Sequence, residues 1–178
     1  MSQAIADLRH EHEAILSALP LLERLAARAG SDATAAADLA AFLDFLHEFV
    51  ERCHHGKEGE LLFPAMVKAG LAEHGGFVDE LLAEHARGHE LLQRLVEASA
   101  PLQAPAFATA AGAYNTHLRA HIDKENTALF PMAERLLDSP DMAALQQAFA
   151  AHEERVMGHG RHAQLHALLE RLQAQYPA

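Results

Sequence analysis

A motif that joins histidine to glutamate at a spacing of four residues occurs twice in the chain. The two copies are His54-x-x-x-Glu58 and His121-x-x-x-Glu125, and a Phe-Pro pair follows each glutamate at the same distance. Residues four apart on an α-helix lie about 5–6 Å from each other at Cβ and point the same way. Each copy therefore predicts an imidazole beside a carboxylate on one helix face. The second copy follows the first by 67 positions throughout, which indicates a duplicated two-helix unit.

Apolar residues recur at spacings of three and four along five segments, which predicts amphipathic helices. The helices run from near Ile5 to Gly30, through Leu39 and His54 to Phe63-Pro64, over Val78–Val96, over Phe107–Leu129, and from Met142 to about Gln175. Pro64 is expected to kink or end the second helix, and Gly158 and Gly160 are weak points in the fifth. No segment shows strand-like alternation or a phosphate-binding glycine pattern.

These helices predict an all-α protein, an antiparallel four-helix up-down bundle with an additional C-terminal helix. We expect residues 1–138 to form the bundle domain and residues 139–178 to form a helical extension packed on it. Short connections make neighbouring helices antiparallel, so the middle of each helix meets the others at one height.

Charge and cysteine content narrow the classes of function. The formal net charge is −11, so the chain lacks the basic footprint of a nucleic-acid-binding protein. Cys53 is the single cysteine, which excludes an internal disulfide. The longest stretch without Asp, Glu, Lys or Arg, Ala98–Leu118, carries prolines and polar residues and is a poor membrane span. We therefore expect a cytoplasmic protein with neither a nucleic-acid nor a membrane partner.

The 14 histidines point to metal binding. We expect the second and fourth helices to face each other, with Glu58 and Glu125 between them as the two bridges of a dinuclear centre. A metal is expected because burying unpaired carboxylates is costly. The candidate metal ligands are His12, His54, Glu58, His85, His89, His121 and Glu125. Imidazole and carboxylate without thiolate suit iron, manganese or zinc. Five histidines, two bridging carboxylates and a bridging oxygen would leave about one of twelve octahedral positions open, or two if His89 does not bind.

Other histidines have competing interpretations. His55 neighbours His54 but points about 100° away on an α-helix, so we expect it not to be a ligand. His117 is a candidate for an outer-shell donor, a gate, or a ligand in an altered centre. His162 and His166 are four residues apart without an accompanying carboxylate repeat, which favours a surface or packing role. Cys53 is expected to be a small core residue.

The motifs His12, His54-x-x-x-Glu58, His85-x-x-x-His89 and His121-x-x-x-Glu125 resemble those of the hemerythrin and hemerythrin-like (HHE cation-binding) family, over roughly residues 3–138. The resemblance implies a four-helix bundle that holds two iron ions per chain, bridged by two carboxylates and an oxo or hydroxo group. Oxygen-carrying hemerythrins use HxxxxD on the last helix. Here Asn126 stands at that acid's position and Glu125 supplies the carboxylate, which is the hemerythrin-like variant.

The resemblance leaves several functions open. The first is binding or sensing of dioxygen or nitric oxide at the open metal position. The second is an enzyme that acts on peroxide or nitric oxide, with His117 as the nearby acid–base candidate. The third is an iron store or donor. A ferritin-like oxidase is rejected, because Glu-x-x-His occurs once near the site, at Glu51-x-x-His54. A homo-oligomer through the last helix stays open, and no catalytic residue is assigned.

Overall fold

The computed structural model describes residues 2–177, and every regular element in that range is helical. The α-helices are α1 (Gln3–Ala18), α2 (Leu21–Ala29), α3 (Ala33–Phe45), α4 (His55–Lys57), α5 (Phe63–Lys68), α6 (Phe77–Ser99), α7 (Ala104–Lys124), α8 (Phe130–Leu136), α9 (Ser139–Met157) and α10 (Arg161–Gln175). Three π-helical segments, Leu46–His54, Glu58–Leu62 and Glu125–Leu129, join some of them end to end. The prediction of an all-α protein is confirmed.

Within residues 2–177 these segments form six helical rods, which span residues 3–29, 33–68, 77–99, 104–136, 139–157 and 161–175. Local chemistry sets several of their beginnings. The Ser2 hydroxyl accepts from the backbone N–H of Ile5 at the start of α1, and Asp32 and Asp138 cap α3 and α9 in the same way.

The C-terminal segment predicted as one helix is two helices. Gly158 has φ +82° and Gly160 has φ +74°, values that an L-residue with a side chain rarely adopts. Because these glycines leave the right-handed helical region, α9 ends at Met157 and α10 begins at Arg161.

The Phe63-Pro64 pair lies within a helical rod and does not end it. The backbone N–H of Phe63 donates to the Glu58 carbonyl five residues earlier, which is the π-helical pattern. Pro64 then stands in the first turn of α5, where a missing N–H is tolerated, and the rod continues to Lys68. The second Phe-Pro pair repeats this, since the Phe130 N–H donates to the Glu125 carbonyl.

Two clusters of buried apolar side chains form the interior. The first includes Phe42, Phe49, Tyr114 and Leu169, and the second includes Leu8, Phe63, Phe130 and Phe149. The extension beyond residue 138 contributes to both, through Leu165, Leu169 and Leu172 in the first and Met142, Leu145 and Phe149 in the second. α9 packs on α1 and on the histidine-bearing second rod.

Each of the first four rods passes from one apolar cluster to the other at its histidines. Along α1, Leu8 belongs to the second cluster and Ile15 to the first, with His12 between them. The next rod reverses this order, with Phe49 in the first cluster and Phe63 in the second. The order alternates again in α6 and in the rod that contains α7. The histidines and glutamates therefore form a polar layer between two apolar clusters.

No helix among residues 2–177 combines the length and the apolar character that crossing a membrane requires.

Candidate metal centre

Four helical rods bring buried imidazoles and carboxylates together in the polar layer. Glu58 and Glu125 are fully buried, and the side chains of His12, His54 and His121 are about 1% exposed. Oxygen and nitrogen atoms of His12, His54, Glu58 and Glu125 lie within 4.8 Å of one another. The same is true of Glu58, His85, His121 and Glu125. The structure thus assembles six of the seven predicted ligands.

The two carboxylates lie between two groups of histidines. Glu58 directs Oε1 to His54 Nε2 at 3.6 Å and Oε2 to His85 Nε2 at 3.2 Å. Glu125 directs Oε2 to His12 Nε2 at 3.2 Å and Oε1 to His121 Nε2 at 3.3 Å. Each carboxylate therefore offers one oxygen to each side. This is the arrangement in which a carboxylate bridges two cations.

We call His12 and His54 the first side of the centre and His55, His85 and His121 the second side. His55 was expected to point away, yet it is 8% exposed and its ring stacks on His85, with centroids 3.9 Å apart. Ring nitrogens of the three second-side histidines lie within 4.8 Å of one another. His55 thus lies in the polar layer, where the sequence interpretation did not place it.

The position of His55 follows from the π-helical segment that precedes it. The His55 backbone N–H donates to the Val50 carbonyl, five residues earlier. A π-turn holds more residues than an α-turn, so neighbouring side chains are separated by less than the about 100° of an α-helix. His54 and His55 can then both face the interior. The sequence does place two adjacent histidines, His54 and His55, before Glu58. The assumption of a regular α-helix led us to expect that the second would point away.

His89 lies outside these groups. Its side chain is 51% exposed, and its Nδ1 lies 3.0 Å from Glu51 Oε2. Its Nε2 lies 2.8 Å from the Gln93 side-chain amide. The carboxylate of Glu51 also pairs with His47 at 3.0 Å. The structure therefore brings His85, but not His89, to the polar layer.

Buried polar atoms without hydrogen-bond partners face one another in the polar layer. Within residues 2–177 they include both oxygens of Glu58 and of Glu125 and the Nε2 atoms of His12, His54, His85 and His121. Buried polar atoms are nearly always paired in proteins, because an unpaired one costs about 1–3 kcal/mol. Eight such atoms directed at one another fit cations held by nitrogen and oxygen at about 2.0–2.2 Å.

The opposite ring nitrogens of three of these histidines are held by other residues. His54 Nδ1 lies 2.8 Å from Glu11 Oε2, and His121 Nδ1 lies 2.8 Å from Glu84 Oε2. His12 Nδ1 lies 3.1 Å from Asn126 Oδ1. An Nδ1–H that donates to such an acceptor leaves the Nε2 lone pair directed at a metal ion. Asn126, at the position of the oxygen carriers' aspartate, thus contacts a predicted ligand.

The pKa values of the histidines differ between positions. Burial lowers the pKa of His85, but the nearby Glu58 and Glu125 carboxylates outweigh it and raise that pKa to about 9. Burial and the neighbouring imidazoles hold the pKa of His55 well below its ordinary value. His55 is therefore neutral, which is the form that binds a metal. For Glu125, burial raises the pKa, and the contacts with His12, His85 and His121 lower it below its ordinary value.

The remaining candidates lie around the centre. His117 Nε2 lies 2.8 Å from the Glu84 carbonyl, outside the clustered atoms. His162 and His166 pack on Phe49, each with ring centroids 5.4 Å away. Cys53 is buried, and burial raises the pKa of its thiol to about 12, so it remains an uncharged core residue.

Fold and site together define a helical protein whose interior is built to hold metal cations. The model of the hemerythrin HHE cation-binding domain matches residues 3–133. The chain belongs to this family, and the resemblance inferred from its motifs is confirmed. Comparisons with curated proteins and with solved structures give no match.

Proposed function

We propose that this protein holds two iron ions between Glu58 and Glu125 and binds dioxygen or nitric oxide there. The main support for this proposal is the set of buried oxygen and Nε2 atoms that lack hydrogen-bond partners and face one another across the polar layer. Imidazole and carboxylate without thiolate are the ligands that non-haem iron takes, and manganese and zinc accept the same set. Iron bound here would supply reversible coordination of a small diatomic ligand.

The proposed ligands divide unequally between the two cations. His12 and His54 serve the first side, His55, His85 and His121 serve the second, and both carboxylates serve both. The count of five imidazoles expected from the sequence is thus kept, with His55 in the place of His89. Because the first side has one imidazole fewer, an iron ion held there would be the one with room for a small ligand.

The surroundings of the first side support ligand binding over acid–base catalysis. The His12 ring stacks on Phe130, with centroids 5.2 Å apart, and Phe130 is fully buried. Apolar walls of this kind exclude water and suit an uncharged diatomic molecule. His117, the acid–base candidate, is bound to the Glu84 carbonyl and stacks parallel to His121 of the second side, with centroids 6.2 Å apart. It is therefore not placed to transfer a proton at the first side.

We also infer that the first four rods form the antiparallel up-down bundle expected from the sequence. Two observations support this arrangement: the alternating order of the two apolar clusters along successive rods, and the packing of α2 on α3 and of α6 on α7. Residues 1–138 would then form the metal-binding domain, with α9 and α10 as an extension on its surface.

Metal content and spectra test the proposal. The chain, reconstituted with Fe(II) without oxygen, is analysed for iron by mass spectrometry, and its optical spectrum is recorded before and after addition of dioxygen, nitric oxide or peroxide. Two irons per chain and a reversible new band with dioxygen or nitric oxide are expected. Catalytic loss of peroxide without a stable adduct would replace ligand binding with an enzymatic role. One zinc or no metal would overturn the two-iron centre.

A further inference from the structure

Both halves of the chain carry a lysine and a glutamate beside the proposed ligands. Glu11 and Lys57 directly precede His12 and Glu58, and Glu84 and Lys124 directly precede His85 and Glu125. In each half the lysine and a ligand histidine share the carboxylate of the glutamate. We call His54, Glu11 and Lys57 the Glu11 triad, and His121, Glu84 and Lys124 the Glu84 triad.

The contacts within the two triads correspond. Glu11 directs Oε2 to His54 Nδ1 at 2.8 Å and accepts from Lys57 Nζ with Oε1 at 2.5 Å. Glu84 directs Oε2 to His121 Nδ1 at 2.8 Å and accepts from Lys124 Nζ with Oε1. Each glutamate thus connects a proposed metal ligand to an ammonium group.

The surroundings of the two triads differ. Side-chain exposure is 7% for Glu11 and 4% for Lys57, against 24% for Glu84 and 28% for Lys124. Lys124 donates a second time to Glu80, which is 56% exposed and lies on α6. Lys57 donates a second time to Glu153 at 3.1 Å. Glu153 belongs to α9, beyond the residues that match the family domain.

Burial decides what each lysine contributes. Water can replace Lys124 beside Glu84, because that triad is open to solvent. A buried carboxylate that loses its cation has no such substitute, so keeping Glu11 against His54 would then carry the cost of an uncompensated buried charge. A Glu11 side chain displaced from this position would no longer accept from the His54 Nδ1–H. Outer-shell contacts of this kind orient a histidine ligand and raise its basicity.

We propose that Glu11 is the positioning residue for His54, and that α9, through Glu153 and Lys57, keeps Glu11 in place. The C-terminal extension thereby controls how firmly the first side of the centre retains its metal ion. This inference rests on the proposed function, since it requires a metal ion on the first side.

The two lysines provide a matched pair of variants. Lys57→Met and Lys124→Met are loaded with Fe(II), and the release of iron to excess chelator is followed by absorbance. In Lys57→Met one of the two irons is expected to leave about 10–100 times faster than in the unaltered protein. Release from Lys124→Met is expected to stay within about fivefold, since exposed ion pairs contribute little. Equal release rates from the two variants would overturn the inference.

Two further variants keep the test decisive if Lys57→Met does not fold. Glu153→Gln removes the charge of a side chain that is 31% exposed but pairs with Lys57, which is 4% exposed. Iron release is therefore expected to accelerate, though less than in Lys57→Met, with an unchanged melting temperature of the metal-free chain. Glu11→Gln with Lys57→Met removes both buried charges and leaves an amide oxygen to accept from Nδ1–H. This double variant is expected to restore iron retention.

Unaltered retention in Glu153→Gln, or loss of retention in the double variant, would reject positioning by the triad. The iron content of the unaltered chain separates this outcome from a failure of the proposed function. If the unaltered chain holds two irons and the two lysine variants release iron at equal rates, only the role of the Glu11 triad is rejected. If the unaltered chain holds no iron, the proposed metal centre itself is rejected.

Discussion

The imidazole of His55 stacks on the imidazole of His85, with centroids 3.9 Å apart and ring planes inclined by 12°. The contact joins the second helical rod to α6 on the second side of the centre. In the proposed centre His55 takes the role that the sequence interpretation gave to His89, one turn beyond His85. The fifth imidazole of that proposal thus comes from a different helix.

Removal of His55 tests this assignment. We expect His55→Ala to lower the iron content of the reconstituted chain from two toward one per chain, because the second side loses one of three imidazoles. His89→Ala is the matched control and is expected to keep two irons, since His89 is half exposed and bound to Glu51. Metal analysis by mass spectrometry checks both. Loss of iron from the His89 variant alone would reverse the assignment.

Asn126 is expected to orient His12. Its Oδ1 lies 3.1 Å from His12 Nδ1 and also accepts from Arg9 at 3.1 Å. Asn126→Ala removes this acceptor, and iron affinity is expected to fall about 10–100-fold, as for other outer-shell contacts. Asn126→Asp keeps an oxygen in the same place, so its iron affinity is expected to fall less than that of Asn126→Ala. Competition with a chelator of known affinity measures both, and equal losses would argue against an orienting role.

Gly56 is expected to be needed for the packing of α9 on the second helical rod, residues 33–68. A Cβ at this position would lie 2.6 Å from His152 Nε2, and His152 is buried. Gly56→Ala should therefore destabilise the chain by about 1–3 kcal/mol, the usual cost of overpacking. Urea unfolding monitored by circular dichroism gives the value.

Gly112→Ala is the control for this substitution. Gly112 also lies within a helix, and its Cβ would meet nothing within 4 Å. This variant is expected to gain about 0.5–1 kcal/mol from helix propensity. A similar gain in Gly56→Ala would mean that α9 does not pack closely at this point.

The raised pKa of His85 predicts the pH dependence of the metal-free chain. A folded pKa of about 9, against 6.5 for the ordinary group, stabilises the fold below pH 6.5. This contribution, about 3 kcal/mol, is lost as the pH rises through 9. His85→Gln should therefore flatten the unfolding free energy between pH 6.5 and 9, as measured by urea titration. Iron retention should change in the opposite direction, since the metal requires the neutral imidazole.

The sequence was sufficient to predict the all-helical fold and most of the residues that the structure brings together in the polar layer. A spacing of four places His54 beside Glu58 on either a regular or a slightly widened helix, so this pair survives a local change of geometry. The orientation of His55 depends on the π-helical turn that precedes it. None of the residue types in Leu46–His54 predicts such a turn. The Glu11–Lys57 contact depends on which rods are neighbours, and that is a property of packing.

The break between α9 and α10 was only partly predictable. Gly158 and Gly160 were visible as weak points, but glycine occurs inside helices as well as at their ends. Their positive φ angles decide the outcome.

The π-helical segments make the two rods that carry Glu58 and Glu125 sensitive to the number of residues they contain. A π-turn is equivalent to one residue inserted into an α-helix, so its loss would rotate everything that follows by about 100°. Deletion of one residue between Glu58 and Phe63 would turn Phe63 out of the apolar cluster while His54 kept its direction. Single-residue deletions at these points should therefore be far less tolerated than substitutions, and alignments that place gaps there would misassign the residues beyond them.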